Sequence, residues 1–171
     1  MKTIEIDTNV PRSELYADLA RSLGSLLEGE TDSLANLANA SALLAQFLTR
    51  INWCGFYLLR DGELVLGPFQ GKPACVRIAM GKGVCGTAAA QGETLLVPDV
   101  NAFPGHIACD AASRSEIVVP ILQNGELRGV LDVDSPDLAR FDAVDREGLE
   151  KFVRVLIPLV NWRGLQPPLS F

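Results

Sequence analysis

At 171 residues, 48% of them hydrophobic, the chain can bury one substantial core and is too short for two comfortable domains. A net charge of -6 and a pI near 4.8, with no cluster of Lys and Arg, argue against a nucleic-acid partner, because phosphate recognition needs concentrated positive charge. The opening residues lack the apolar run of an export signal, and stretches such as 117–122 and 155–160 fall well short of the roughly 20 residues that span a bilayer, so a cytoplasmic protein with no membrane partner is expected.

Leu15, Leu19, Leu23, Leu26 and Leu27 recur at helical spacing between Pro11 and Gly29 and predict a first helix. A second runs from a Thr31/Asp32 cap through Leu34, Leu37, Leu44 and Phe47 to about Thr49. From residue 52 the texture becomes that of strands: NWCGFYLLR, the turn Asp61-Gly62 and ELVLGPF predict a hairpin. A short strand over 75–79, a helix of small residues over 83–91 and a strand over 94–97 follow, then a long loop over 98–113. SEIVVPIL, the turn Asn124-Gly125 and ELRGVLDVDS give a second hairpin over 115–135. The pattern closes with a helix from Asp142 to about Trp162, kinked near its end by Pro158. Hairpins cannot join parallel strands, so the fold class is α+β: one domain with helices over 11–49, sheet and loops over 52–135 and a helix over 142–162. Its central sheet is mostly antiparallel, with helices packed on one face.

A reducing compartment disfavours permanent disulfides, so the four cysteines serve either as small hydrophobes or as reactive thiols. Cys54 sits inside a strand and reads as core. Cys75, Cys85 and Cys109 match no metal-knuckle spacing and have only His106 nearby, which argues against a structural metal. Cys109, in the long loop, and Cys75, at a loop-to-strand junction, suit thiol chemistry, although ordinary buried cysteines fit the residues equally well. Strand alternation puts Trp53, Gly55 and Tyr57 on one face, with Gly55 leaving a gap between two aromatic walls. Asp132 and Asp134 share a face on the last strand, with Glu116 near the start of its partner. Like charges gathered so closely favour retention of a proton near neutral pH, which supplies an acid. A solvated strand end is the alternative.

The segments WCGFYLL at 53–59, GPFQGKPACVRI at 67–78, GKGVCGTAA at 81–89, VPDVNAFPGHIACD at 97–110, SEIVVPI at 115–121 and GVLDVDS at 129–135 resemble the free methionine-(R)-sulfoxide reductases, which are stand-alone GAF domains. The resemblance covers nearly the whole chain. It implies an oxidoreductase in which Cys109 is the nucleophile, Cys75 the resolving cysteine and Cys85 an auxiliary third thiol. The substrate pocket falls on Trp53, Tyr57, Glu116, Asp132 and Asp134. Reduction then passes through a sulfenic acid and an intramolecular disulfide that thioredoxin recycles, with no metal or organic cofactor, in an assembly expected to be a homodimer. Two other readings compete: a GAF module that senses a small molecule, and a thiol redox sensor, both without turnover. A Cys109–His106 dyad fits less well, since the acid must act on the sulfoxide oxygen, a task better suited to the carboxylates.

Overall fold

A computed structural model describes residues 4–105 and 111–165. Two helices open the chain, α1 (Arg12–Leu27) and α2 (Ser33–Phe47), and the Asp32 carboxylate caps α2 by accepting from the Ala35 N–H at 2.8 Å. The strands β1 (Trp53–Arg60), β2 (Glu63–Gln70) and β3 (Arg77–Ala79) follow, then α3 (Gly83–Gln91) and β4 (Leu95–Val97), the hairpin β5 (Ser115–Gln123) and β6 (Glu126–Ser135), and finally α4 (Ala143–Leu156). Both expected hairpins form on two-residue turns. Asp61 and Gly62 (φ 50° and 82°) and Asn124 and Gly125 (φ 55° and 79°) all take the left-handed backbone whose twist suits a tight hairpin.

The sheet has six strands in the order β3-β2-β1-β6-β5-β4, and every neighbouring pair is antiparallel. The central pairing of β1 with β6 joins segments more than 60 residues apart, with Trp53 opposite Asp134 and Gly55 opposite Asp132. Leu19, Leu23, Leu37, Leu44, Leu149 and Phe152 of α1, α2 and α4 bury against Phe56, Leu131 and Val133 on one face of the sheet. This is the expected layering. The short α3 lies over the opposite face, where Val84, Cys85 and Ala88 meet Tyr57, Val118 and Val130.

Three boundaries differ from expectation. The final helix ends at Leu156 rather than near Trp162, and the chain continues as single 3-10 turns at Ile157–Leu159 and Trp162–Leu165. Pro158 has no N–H to donate to the preceding turn, and its ring blocks further α-helix. The third strand begins at Arg77, and ahead of it the Leu66 N–H donates to the Val76 carbonyl at 2.9 Å outside the regular ladder. Within the long loop, Val100–Ala102 forms a 3-10 turn whose Asn101 N–H is met by the Asp99 carboxylate at 3.0 Å.

Candidate active site

Alternation along β1 and β6 sends Phe56, Leu58, Leu131 and Val133 into the helix-covered core, while Trp53, Tyr57, Asp132 and Asp134 emerge on the other face. β5 adds Glu116, paired with Asp134 in register. The first turn of α3 and the segment before β3 roof this face and leave a cleft lined by Trp53, Tyr57, Cys85, Glu116, Asp132 and Asp134 among others. All five side chains expected to form the substrate pocket therefore share one cavity.

Its aromatic wall is stacked. Trp53 lies between Tyr57, with centroids 5.9 Å apart, and Phe69, at 5.3 Å, and its indole N–H donates to the Lys72 carbonyl at 3.1 Å. Gly55 does not leave a gap between the aromatic residues, as alternation alone suggested. A Cβ there would stand 2.3 Å from Phe69 Cβ, so β2 itself fills the space. The Tyr57 hydroxyl donates to the Cys75 carbonyl at 3.0 Å, anchoring the segment that carries Cys75 to the wall.

The acidic wall is buried. Glu116 and Asp132 are each 6% exposed, and the Cys85 thiol donates to Glu116 Oε1 at 3.7 Å. Burial, followed by the neighbouring charge of Asp132, raises Glu116 well above the ordinary carboxylate range, and burial pushes Asp132 up to about 7. The pair thus keeps a proton at neutral pH. The same burial and the two carboxylates drive the Cys85 thiol well up, so it stays protonated. Cys54 is fully buried on the other face, bonded to the Ser41 carbonyl at 3.4 Å, and burial pushes its thiol up to about 12, in keeping with core packing. Cys75 is disulfide-bonded. Cys109 and His106 lie outside the described residues.

The chain matches the GAF domain model over residues 22–156. It is 57% identical to the free methionine-R-sulfoxide reductase of Escherichia coli over 145 residues, covering 85% of this chain and 88% of that one. The enzyme of the same name from Saccharomyces cerevisiae is 47% identical over 161 residues, covering 90% and 89%. The X-ray structure of free methionine-R-sulfoxide reductase from Neisseria meningitidis in complex with its substrate superposes with a TM-score of 0.90 at 43% identity, covering 95% and 97%. The chain belongs to the free methionine-R-sulfoxide reductase family of GAF domains.

Several lining residues of this family member escaped sequence reasoning. Lys82 and Gly83 at the start of α3, and Ser113 ahead of β5, reach the cleft from loop and helix ends, where no periodicity announces a facing direction. Only Ser113 offered a tertiary clue after the fact, accepting from Asn52 Nδ2 at 3.0 Å beside Trp53. The GKG run at the start of α3 was a readable signal: the first N–H groups of a helix have no partner within it, and among the described residues no side chain caps them.

Proposed function

We propose that the protein reduces free methionine (R)-sulfoxide to methionine. The observation that carries this reading is the buried, proton-holding Glu116/Asp132 pair facing the Trp53–Tyr57 wall, in a chain of this family. The Cys109 sulfur attacks the sulfoxide sulfur while the carboxyl pair delivers a proton to the oxygen. The protonated oxygen departs as water, a water molecule then attacks the Cys109 sulfur, and the new S–S bond breaks, so that methionine leaves with two more electrons and Cys109 is left as a sulfenic acid. Cys75 then condenses with it, releasing water and forming a disulfide, and thioredoxin restores both thiols by exchange. The disulfide carried by Cys75 supports its resolving role. Cys85, held protonated against Glu116, acts as the third thiol.

Recognition follows from charge. Asp134 holds the substrate ammonium, the first-turn N–H groups of α3 and Lys82 hold its carboxylate, and Trp53 packs on the S-methyl group. A peptide-bound residue has neither terminal charge, so the free amino acid is preferred. The reading implies a cytoplasmic enzyme that works as a homodimer with no metal or organic cofactor.

A thioredoxin-coupled turnover assay on free R-, free S- and peptide-bound methionine sulfoxide tests it. Turnover of the free R form alone is expected, with a loss of at least about a hundredfold in Cys109→Ser. Equal rates on free and peptide-bound substrate, or an undiminished serine variant, would overturn it.

A further inference from the structure

We infer that Cys85, Glu116 and Asp132 form a binding site for a zinc-type divalent cation, which inhibits the enzyme by occupying the cleft that the proposed substrate enters. One ligand atom from each of the three lies within 4.8 Å of the other two, and all three residues are buried on the cleft wall. The Cys85 Sγ to Glu116 Oε1 separation is 3.7 Å. A tetrahedral zinc ion with a sulfur at about 2.3 Å and an oxygen at about 2.1 Å holds those two atoms about 3.6 Å apart. The site is therefore already close to the spacing the ion needs.

A separate observation indicates a missing partner. Asp132 Oδ1 is buried and makes no hydrogen bond to any described residue, an arrangement that normally costs free energy. A cation bound there would satisfy it, displacing to solvent the protons held by Cys85 and the carboxyl pair. One sulfur and two oxygens suit a borderline ion such as zinc better than magnesium or calcium, which take oxygen ligands alone. Three protein ligands leave a fourth position facing the cleft. These residues sit on α3, β5 and β6, far apart in sequence, so a search by cysteine and histidine spacing does not reveal them.

The site is an inhibitory one and supplies nothing to the reaction; its competition with substrate rests on the function proposed above, whereas binding does not. Binding is read with cobalt(II) as the probe in a Cys75→Ser/Cys109→Ser chain, in which Cys54 and Cys85 are the only remaining thiols. A thiolate-to-cobalt charge-transfer band is expected, displaced by zinc, retained when Cys54→Ala is added and lost when Cys85→Ala is added. Asp132→Asn, which keeps the thiol and the shape, should weaken cobalt binding by about tenfold or more. Circular dichroism establishes that each variant is folded.

In the unmodified enzyme, zinc added to the coupled assay should raise the apparent KM for free methionine sulfoxide while leaving kcat unchanged, with a chelator reversing the effect. Absence of the band, or its persistence without Cys85, overturns the site. Binding with noncompetitive inhibition overturns its placement in the substrate cleft. A band in a protein that turns over no sulfoxide would leave the cation site standing and remove the proposed function instead.

Discussion

Gly55 shows how much one absent side chain decides. The Cβ of an alanine would approach Phe69 Cα to 2.7 Å as well as its Cβ to 2.3 Å, so backbone as well as side chain must yield. Because Phe69 stacks on Trp53, the displacement reaches the cleft wall. Gly55→Ala should therefore lower stability by about 1–3 kcal/mol in urea denaturation and raise KM for free sulfoxide more than it lowers kcat. Unaltered KM would detach Phe69 from recognition. Alternation in the sequence identified Trp53 and Tyr57 as neighbours on a face, and both line the cleft. It misjudged Gly55 because the register shift between Gly55 and Tyr57 in the β1–β2 pairing, which brings Phe69 across, leaves no local trace. Glu116, Asp132 and Asp134 were legible from alternation along each strand, although their exact pairing was not: the β5–β6 register also shifts by one residue, between Ile121 and Leu122, and this brings Glu116 opposite Asp134.

At the scale of elements, α4 is fastened to α1 through a buried charge. Asp145 is fully buried and accepts from Arg12 Nη1 at 2.6 Å, Arg140 Nη1 at 3.0 Å and the Tyr16 hydroxyl at 2.9 Å. It also closes the capping box by accepting from the Asp142 N–H at 2.9 Å, while Asp142 pairs with Arg12. The Tyr16 ring lies where a side chain at Gly148 would be, which lets the two helices approach closely. Asp145→Ala would leave the Arg140 guanidinium, only 7% exposed, without its carboxylate, and should cost about 3–5 kcal/mol in chemical denaturation. A loss below about 1 kcal/mol would show that the pair merely breaks even with its desolvation. The helix itself was readable from its periodicity and the Asp142 start. The charge network was not, since it depends on Arg12 arriving from the far end of the chain.

For the molecule as a whole, the sheet separates two apolar regions, and each encloses one of the two tyrosines. Tyr16 is 2% and Tyr57 1% exposed, and burial first, then nearby acidic groups, raises both phenols far above their ordinary value. Folded-state values above the unfolded one mean that this contribution to stability is complete below about pH 10, where a free phenol ionises, and is lost as pH rises beyond it. Absorbance titration should accordingly show no tyrosinate in the folded protein near about pH 11, both phenols then ionising together with loss of near-ultraviolet circular dichroism. Separate ionisation in a protein that keeps its dichroism would contradict the placement of both rings. The overall layering could be anticipated from the hairpins and helical stripes. The strand order could not, because β1 meets β6 only through long-range pairing that no turn announces.

The alternation of Leu131 and Val133 with Asp132 and Asp134 along β6 has a consequence for how the protein can fail. A slip of one residue in that strand would exchange the two sets, driving two carboxylates into hydrocarbon and two aliphatic side chains into the polar cleft. Such a mispaired form would be penalised at both surfaces at once. The chemistry of the cleft thereby doubles as a lock on strand alignment, and neutralising the acids would loosen the fold's choice of register along with its activity.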